Sequence, residues 1–347
     1  MSRVRRLPLE NPASRFQQFV VEYEPGEVPD AEYQLFDDDT RRVLSENQSP
    51  DIGFRYSLNP YRGCLHGCAY CYARPTHEYL GFGAGSDFER KIVVKRRAPE
   101  LLRETFERKS WEGELIVFSG NTDCYQPVEQ RLELTRGCLR VCAEYRNPIH
   151  VITKAALIER DTDVLADLVK HASASVTISI PFIDPEIARA IEPYAPPPAR
   201  RFEALRRLAA AGIPVSVNVA PLIPGLNDQD LVPILEEACD AGATSAGLVP
   251  LRLPGPVEEV FVTRLEALLP LRANKVLTRV REMRGGKLYD SRFGARMRGE
   301  GRYLDTIFAL FEVTKRRLGM DLPEVSEPRS TFRRPEHRGP QLSLFDK

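Results

Sequence analysis

An α/β fold built as a barrel or partial barrel of parallel strands is what this sequence predicts, on three observations. Short β-branched runs alternate with amphipathic helical stretches from Tyr56 onward. Several of those runs are continuously apolar, as strands are when helices cover a parallel sheet. Glycines stand just past two helical stretches, at Gly212 and Gly242, where a helix C-cap glycine belongs. Repeated β–α units of this kind favour a barrel over segregated α+β layers.

Taken in order, residues 1–50 are mixed in character, with prolines in Glu24-Pro25-Gly26-Glu27-Val28-Pro29-Asp30, and read as an N-terminal extension. Strands are predicted at 91–95, 115–119, 150–153, 175–180, 214–220 and 245–251, and helices at 98–108, 128–145, 163–171, 199–211 and 231–241. The alternation spans residues 51–255. Residues 256–323 form a helical, basic region, with helices predicted at 257–268, 274–283 and 304–318. From 324 to 347 the chain is polar and basic, a composition that lacks the apolar residues to order itself.

Composition narrows the class. At 347 residues, 42% hydrophobic and 28% charged, the chain can bury a sizeable core. A formal net charge of zero argues neither for nor against a polyanionic partner, so local patches must decide. The N-terminus has no apolar signal-peptide region, and no run of eighteen apolar residues offers a membrane span. Seven cysteines, an odd count, with three inside eight positions, fit free thiolates in a reducing cytoplasm better than a disulfide framework.

Those three are Cys64, Cys68 and Cys71, in Asn59-Pro60-Tyr61-Arg62-Gly63-Cys64-Leu65-His66-Gly67-Cys68-Ala69-Tyr70-Cys71-Tyr72. Three thiolates from one loop can take three corners of an iron–sulfur cubane and leave the fourth iron open. Zinc is the rival, yet a structural zinc site takes four ligands, often from paired knuckles. His66 is the nearest fourth ligand, and no second Cys-x2-Cys or His pair follows. Cys138 and Cys142, four apart on a helical stretch, read as small core side chains, as does Cys239.

The C-x3-C-x-aromatic-C spacing at the start of a β/α chain resembles the signature of the radical S-adenosylmethionine superfamily. The resemblance covers most of residues 56–252 and implies a partial (β/α)6 TIM-type barrel, a [4Fe–4S] cluster on Cys64, Cys68 and Cys71, and S-adenosyl-L-methionine on the open iron. It implies that Tyr70 packs near the adenine. It also implies an electron donor of flavodoxin or ferredoxin type, and a 5′-deoxyadenosyl radical that abstracts hydrogen from a substrate. Further matches resemble the spore photoproduct lyase-like branch. They are Cys71-Tyr72, Ser119-Gly120-Asn121-Thr122-Asp123 at the second strand end, Thr153-Lys154 at the third and Ser179 at the fourth. Glu192-Pro193, Arg200-Arg201 with Glu203, and Val219-Ala220-Pro221 follow. By that resemblance Ser119 to Asp123, Lys154, Ser179, Glu192, Arg201 and Ala220 bind the cofactor, with Lys154 on its carboxylate. Independently of the family, polar residues at the C-terminal ends of successive parallel strands are where β/α barrels place their chemistry. One position departs from the branch: Gly120 stands where the lyase has a hydrogen-donating cysteine, which leaves Cys124 or Tyr72 to return the hydrogen atom.

Two features point to partners. Residues 271–302 carry ten Lys/Arg against three acids, with Arg272, Lys275 and Arg279 on one helical face and Tyr289 and Phe293 among the charges. Basic residues interleaved with aromatics suit a nucleic-acid backbone with an exposed base. The C-terminal Gln341-Leu342-Ser343-Leu344-Phe345 resembles the bacterial sliding-clamp-binding pentapeptide, with Leu344 and Phe345 as anchors. Three functions follow: a radical enzyme repairing DNA lesions; a radical enzyme modifying RNA, protein or a small molecule; and a non-catalytic iron–sulfur or zinc protein.

Overall fold

The structure, a computed structural model, describes residues 11–12, 33–321 and 330–335. Among these are ten strands: β1 (Gln34–Asp37), β2 (Leu44–Glu46), β3 (Tyr56–Leu58), β4 (Tyr61–Arg62), β5 (Lys91–Val94), β6 (Ile116–Phe118), β7 (Ile149–Thr153), β8 (Ala174–Ser179), β9 (Val215–Leu222) and β10 (Ser245–Pro250). Seven form one sheet in the order β10-β9-β8-β7-β6-β3-β2. Its neighbours run parallel from β3 to β10, and only β2 is antiparallel. Six consecutive parallel strands with no pairing between the two ends of the sheet make a partial barrel.

Helices cross over between these strands, as parallel connections require. Leu134–Glu144, Thr162–His171, Pro198–Ala210 and Leu231–Asp240 link β6 to β10 in turn. Alternation along each strand sorts the two faces. Val215, Val217 and Val219 of β9 are buried in the apolar core shared with Leu231, Ile234 and Leu235 of the covering helix. The other face of the sheet is polar: the His150 ring bridges Ser175 Oγ at 2.7 Å and Thr177 Oγ1 at 3.1 Å, and Ser216 meets Ser245 at 2.7 Å. Period-two alternation thus gives the barrel an apolar outside under its helices and a hydrogen-bonded inside.

The predicted helices and strands of residues 91–318 are present with ends shifted by a few residues, with two differences. The 128–145 stretch is broken at Glu133, whose φ of 51° separates Glu129–Leu132 from Leu134–Glu144. The 91–95 strand is outside the barrel. As β5 it pairs with β1 and β4 in a separate three-stranded sheet, and the first barrel strand is the three-residue β3. Apolar character marks β5 as a strand but cannot say which sheet it joins. The segment before residue 50 supplies β1 and β2.

After β10, Val257–Leu268, Pro270–Glu282 and Arg302–Leu318 follow, the last packed on Leu231–Asp240. Residues 330–335 lie against the N-terminal end of the barrel: Phe332 stacks on Tyr145, and Arg334 donates to the carbonyls of Phe106, Arg108 and Trp111. The pentapeptide 341–345 lies outside the described residues. Among the described residues no helix is long and apolar enough to cross a membrane.

Candidate active site

The chain leaves β3 through Asn59-Pro60, passes β4 and enters the cysteine loop at Gly63. A side chain there is forbidden twice over: φ is +78°, and a Cβ would lie 2.8 to 2.9 Å from His77 Cε1 and the carbonyls of Phe88 and Lys91. The loop is pinned at each turn. Cys64 N donates to Phe88 O at 2.9 Å, Ala69 N donates to Ile191 O at 2.9 Å, and wholly buried Gln126 bridges Gly63 O and Leu65 N, both at 2.9 Å. Cys64 and Cys68 are buried and Cys71 partly so. Burial pushes all three thiols above their usual range, and neighbouring negative groups push Cys64 and Cys68 further.

Facing this loop are Lys154 from just past β7, Glu192 from the end of the helix Pro185–Ile191 and Arg201 from the helix Pro198–Ala210. Tyr70 donates its hydroxyl to Glu192, and Arg201 donates to the other carboxylate oxygen. Arg201 also donates to Ser179 O at 3.0 Å and Pro196 O at 2.7 Å. Lys154, one residue past β7, has Nζ 3.3 Å from Ala220 O, 3.9 Å from Glu192 Oε1 and 5.7 Å from the Tyr70 ring centre. Burial pushes the Lys154 ammonium below its usual range. It pushes the Glu192 carboxyl above its own range, while Arg201 pulls it back. Tyr70, Lys154, Ser179, Glu192, Arg201 and Ala220 are therefore one assembly.

The second strand end is a shaped loop beside it. Ser119 takes a left-handed φ of 75° and its Oγ accepts from Cys124 N at 3.0 Å. Asp123 ties this loop to β7, accepting from Thr153 Oγ1 at 2.6 Å and Lys154 N at 2.8 Å. With its amide turned to satisfy both ends, Asn59 donates to Thr122 O at 2.8 Å and accepts from Asn121 N at 2.7 Å. Gly120 lies so close to β3 that a Cβ would sit 2.8 Å from Ser57 Cβ. Tyr72, 44% exposed, reaches across to donate its hydroxyl to Gly120 O.

The two residues singled out as hydrogen donors separate. Tyr72 stands at the mouth. Cys124 is fully buried in the core, its carbonyl accepting from Thr135 Oγ1 at 2.7 Å, and burial pushes its thiol well up. His66, weighed above as a zinc ligand, turns its Nδ1 toward Asp123 Oδ2 at 3.5 Å, and burial lowers its pKa to about 4.

Sequence reasoning missed several members. Arg74, Glu89 and Arg264 brace the cysteine loop from behind, and Arg252 lies 4.9 Å over the Tyr72 ring centre. Half-buried Asn218 on β9, paired in register with Ser179, has an Oδ1 with no hydrogen-bond partner. Its polarity in an apolar strand was the available signal. Arg74 and Glu89 gave none, because arginine and glutamate side chains are usually solvated wherever they stand in the sequence.

These residues fit the two cofactors that the resemblance implies. Three clustered thiols, each raised by burial, with Cys64 and Cys68 raised further by neighbouring thiols, favour a cationic iron centre, which holds them as thiolates. Among the described residues, no three His, Cys, Asp or Glu side chains gather where one ion could be held, whereas a cubane takes each thiolate on its own iron. A buried ammonium at Lys154 and an orphaned acceptor at Asn218 suit a ligand that carries both a carboxylate and hydrogen-bond donors.

Residues 58–238, more than half of the chain, match the family model described as the radical SAM superfamily. An uncharacterized protein of Mycobacterium tuberculosis is 37% identical over 234 residues, covering 67% of this chain and 68% of its own. Among solved structures, a cysteine-to-serine mutant of spore photoproduct lyase superposes with a TM-score of 0.54 at 18% identity, covering 88% of this chain and 85% of the other. Spore photoproduct lyase complexed with dinucleoside spore photoproduct gives 0.53 at 18%, over 70% and 71%. At that identity the likeness is one of fold. The extent of the family match establishes that this chain belongs to the radical SAM superfamily, whose members use a [4Fe–4S] cluster and S-adenosylmethionine.

Proposed function

We propose that this radical SAM enzyme holds its cluster on Cys64, Cys68 and Cys71 and acts on damaged DNA. The observation that carries the cofactor assignment is the convergence of Tyr70, Lys154, Glu192 and Arg201, from the loop and from beyond two strand ends, into one buried ionic assembly beside the thiols. When bound, the cluster and S-adenosylmethionine supply one-electron reductive cleavage to a 5′-deoxyadenosyl radical, with the electron coming from a flavodoxin- or ferredoxin-type donor.

The chain's own part is positioning and exclusion. Lys154 presents a partly desolvated ammonium to a carboxylate, and Asp123 fixes the Lys154 backbone through the 2.8 Å bond to its amide. Glu192 orients Tyr70 by accepting its hydroxyl, and Arg201 offsets part of the rise that burial imposes on the Glu192 carboxyl. Tyr72 is the hydrogen-bearing side chain placed to serve a substrate at the mouth, held by the Gly120 carbonyl and Arg252.

The DNA assignment is supported by the spore photoproduct lyase fold and by the basic region. Four of its ten cations have local duties. Arg284 is buried on the Leu251 and Ala295 carbonyls, and Arg279, Arg292 and Arg296 pair with Glu282, Asp290 and Asp51. Arg272, Lys275, Arg281, Lys287, Arg298 and Arg302 have no ion pair among the described residues and are exposed. Cations left unpaired by the fold are available to phosphates. The tail adds a proposed clamp partner. Its test is binding of a 336–347 peptide to a bacterial sliding clamp, with Leu344→Ala and Phe345→Ala abolishing it. One observation favours a second reading, radical modification of RNA, protein or a small molecule: Gly120 has no room for the side chain that the lyase uses there.

The deciding experiment is anaerobic reconstitution followed by dithionite and S-adenosylmethionine, with 5′-deoxyadenosine as the readout. The reading expects product from the intact protein, none from Cys71→Ala, and stimulation by ultraviolet-irradiated DNA over undamaged DNA. Equal rates with both DNAs would remove the lesion assignment. No product from a fully clustered protein under any condition would remove the whole reading.

A further inference from the structure

The cysteine loop rests on a buried ionic bracket that unites distant parts of the chain. Arg74 follows the third cysteine by three positions and is wholly buried. Its guanidinium donates to Cys68 O (Nε at 3.2 Å, Nη2 at 2.7 Å), to Gly67 O at 3.4 Å, to Ala84 O at 3.1 Å and to Gly85 O at 3.0 Å. It also donates to Glu89. Arg264, from the helix Val257–Leu268, enters from the opposite side: one nitrogen donates to Gly67 O and the other to the same Glu89 oxygen at 2.5 Å. Both partners are nearly out of solvent, with Arg264 and Glu89 each 6% exposed. Gly67, between the first two cysteines, lies against this carboxylate; a Cβ there would be 3.4 Å from Glu89 Oε2.

Two guanidiniums share one carboxylate, so the bracket carries a net positive charge. A buried excess charge is expensive to keep. Packing alone does not require it, since the Gly67 carbonyl already has Arg74 as a donor. What the second cation adds is a positive potential at the Cys68 corner. Charge in a buried setting acts over several ångströms with little screening. Reduction of an iron–sulfur cluster adds one negative charge, and nearby charge and hydrogen bonds to its surroundings set how readily that happens.

We infer that Arg264, a positioning residue from the C-terminal helical region, raises the reduction potential of the cluster and so sets the ease of its one-electron reduction, with Glu89 opposing it. The inference rests on the assignment of the cluster to Cys64, Cys68 and Cys71. The consequence is that the C-terminal helices are part of the cluster environment as well as of the substrate side.

The test is a redox titration of the reconstituted holoenzyme followed by electron paramagnetic resonance, with iron content measured on each sample. Arg264→Gln should lower the potential, so that the reduced-to-oxidised ratio at the wild-type midpoint falls by about tenfold. Arg264→Lys, which keeps the charge, should stay near wild type. Glu89→Gln should move the potential the other way and raise that ratio. Should Arg264→Gln fail to retain iron, the opposite-signed Glu89→Gln arm and the charge-conserving lysine decide. Clustered variants that all titrate with the wild type overturn the inference and leave the cysteine assignment standing. A wild-type protein that takes up no iron overturns the cysteine assignment, and this inference with it.

Discussion

Two assemblies of the same chemical parts sit at different depths in the site. In the deep one a cation, a carboxylate and an aromatic meet as Lys154, Glu192 and Tyr70, with Arg201 behind; Glu192 and Arg201 are 2% and 1% exposed. At the rim, Arg252 lies over Tyr72. Arg296 pairs with Asp51 and lies 4.4 Å over the ring of Phe293, which is 63% exposed. The difference in solvent access changes what these parts do. Inside, each charge depends on its partner, so geometry is over-determined and a ligand meets a rigid frame. Outside, the Tyr72 and Phe293 rings face water, so they can rearrange around a substrate at little cost even though the Arg296–Asp51 pair beneath is largely covered.

The sharpest way to break that contrast is Arg201→Ala. It leaves Glu192 buried without its guanidinium, and loss of one partner of a buried pair costs about 3 to 5 kcal/mol. The check is a urea unfolding curve, and a change below about 1 kcal/mol would show the deep assembly to be solvated after all.

The next largest effect is one of pH on the inner face of the barrel. Burial lowers the His150 pKa to about 4, below its unfolded value near 6.5. The folded protein therefore resists protonation that the unfolded chain accepts. The contribution is fully present above about pH 6.5, is lost as pH falls toward 4 at up to roughly 1.4 kcal/mol per pH unit, and levels off below that. Unfolding midpoints between pH 7 and pH 4 should slope accordingly, and His150→Gln should reduce the slope without abolishing it, because burial lowers His66 and His77 to about 4 as well.

Gly120→Ala probes the boundary between the two assemblies. Its methyl would meet Ser57 Cβ at 2.8 Å, an overpacking expected to cost about 1 to 3 kcal/mol. Binding of S-adenosylmethionine by calorimetry should weaken as the 119–123 loop shifts. Unchanged stability and affinity would mean that β3 yields there.

At the rim the effect on stability is smallest. Phe293→Ala and Arg281→Ala should each change folding stability by less than about 0.5 kcal/mol. Each should nonetheless weaken binding to single-stranded DNA. The arginine variant should also lower the salt dependence by about one unit of slope, which a fluorescence anisotropy series across salt concentrations would read. A stability loss comparable to that of Arg201→Ala would erase the distinction between rim and interior.

Much of the site was legible along the chain, and the parts that were not share a cause. Tyr70, Lys154, Ser179, Glu192, Arg201 and Ala220 were singled out together, and the structure brings them into one assembly. Strand ends repeat at intervals, so polar residues at those intervals are visible in one dimension. Cys124 and Tyr72 look equivalent in sequence, as hydrogen-bearing residues near strand ends, yet one is in the core and the other at the mouth. Which way a loop residue points depends on what lies across from it; Thr135 and Ser119 hold Cys124 inward.

Spacing and periodicity, which are local, determined by themselves the β–α alternation, the three-cysteine loop and the concentration of basic residues after 270. Only the tertiary structure decided that β5 leaves the barrel for a second sheet, and that four of ten cations are consumed by local partners. It alone decided that Arg264 reaches back across the chain to share Glu89 with Arg74 behind the cysteine loop. Those outcomes depend on which distant segments meet when the chain closes. A charge becomes structural only when burial removes the water that would otherwise stabilise it.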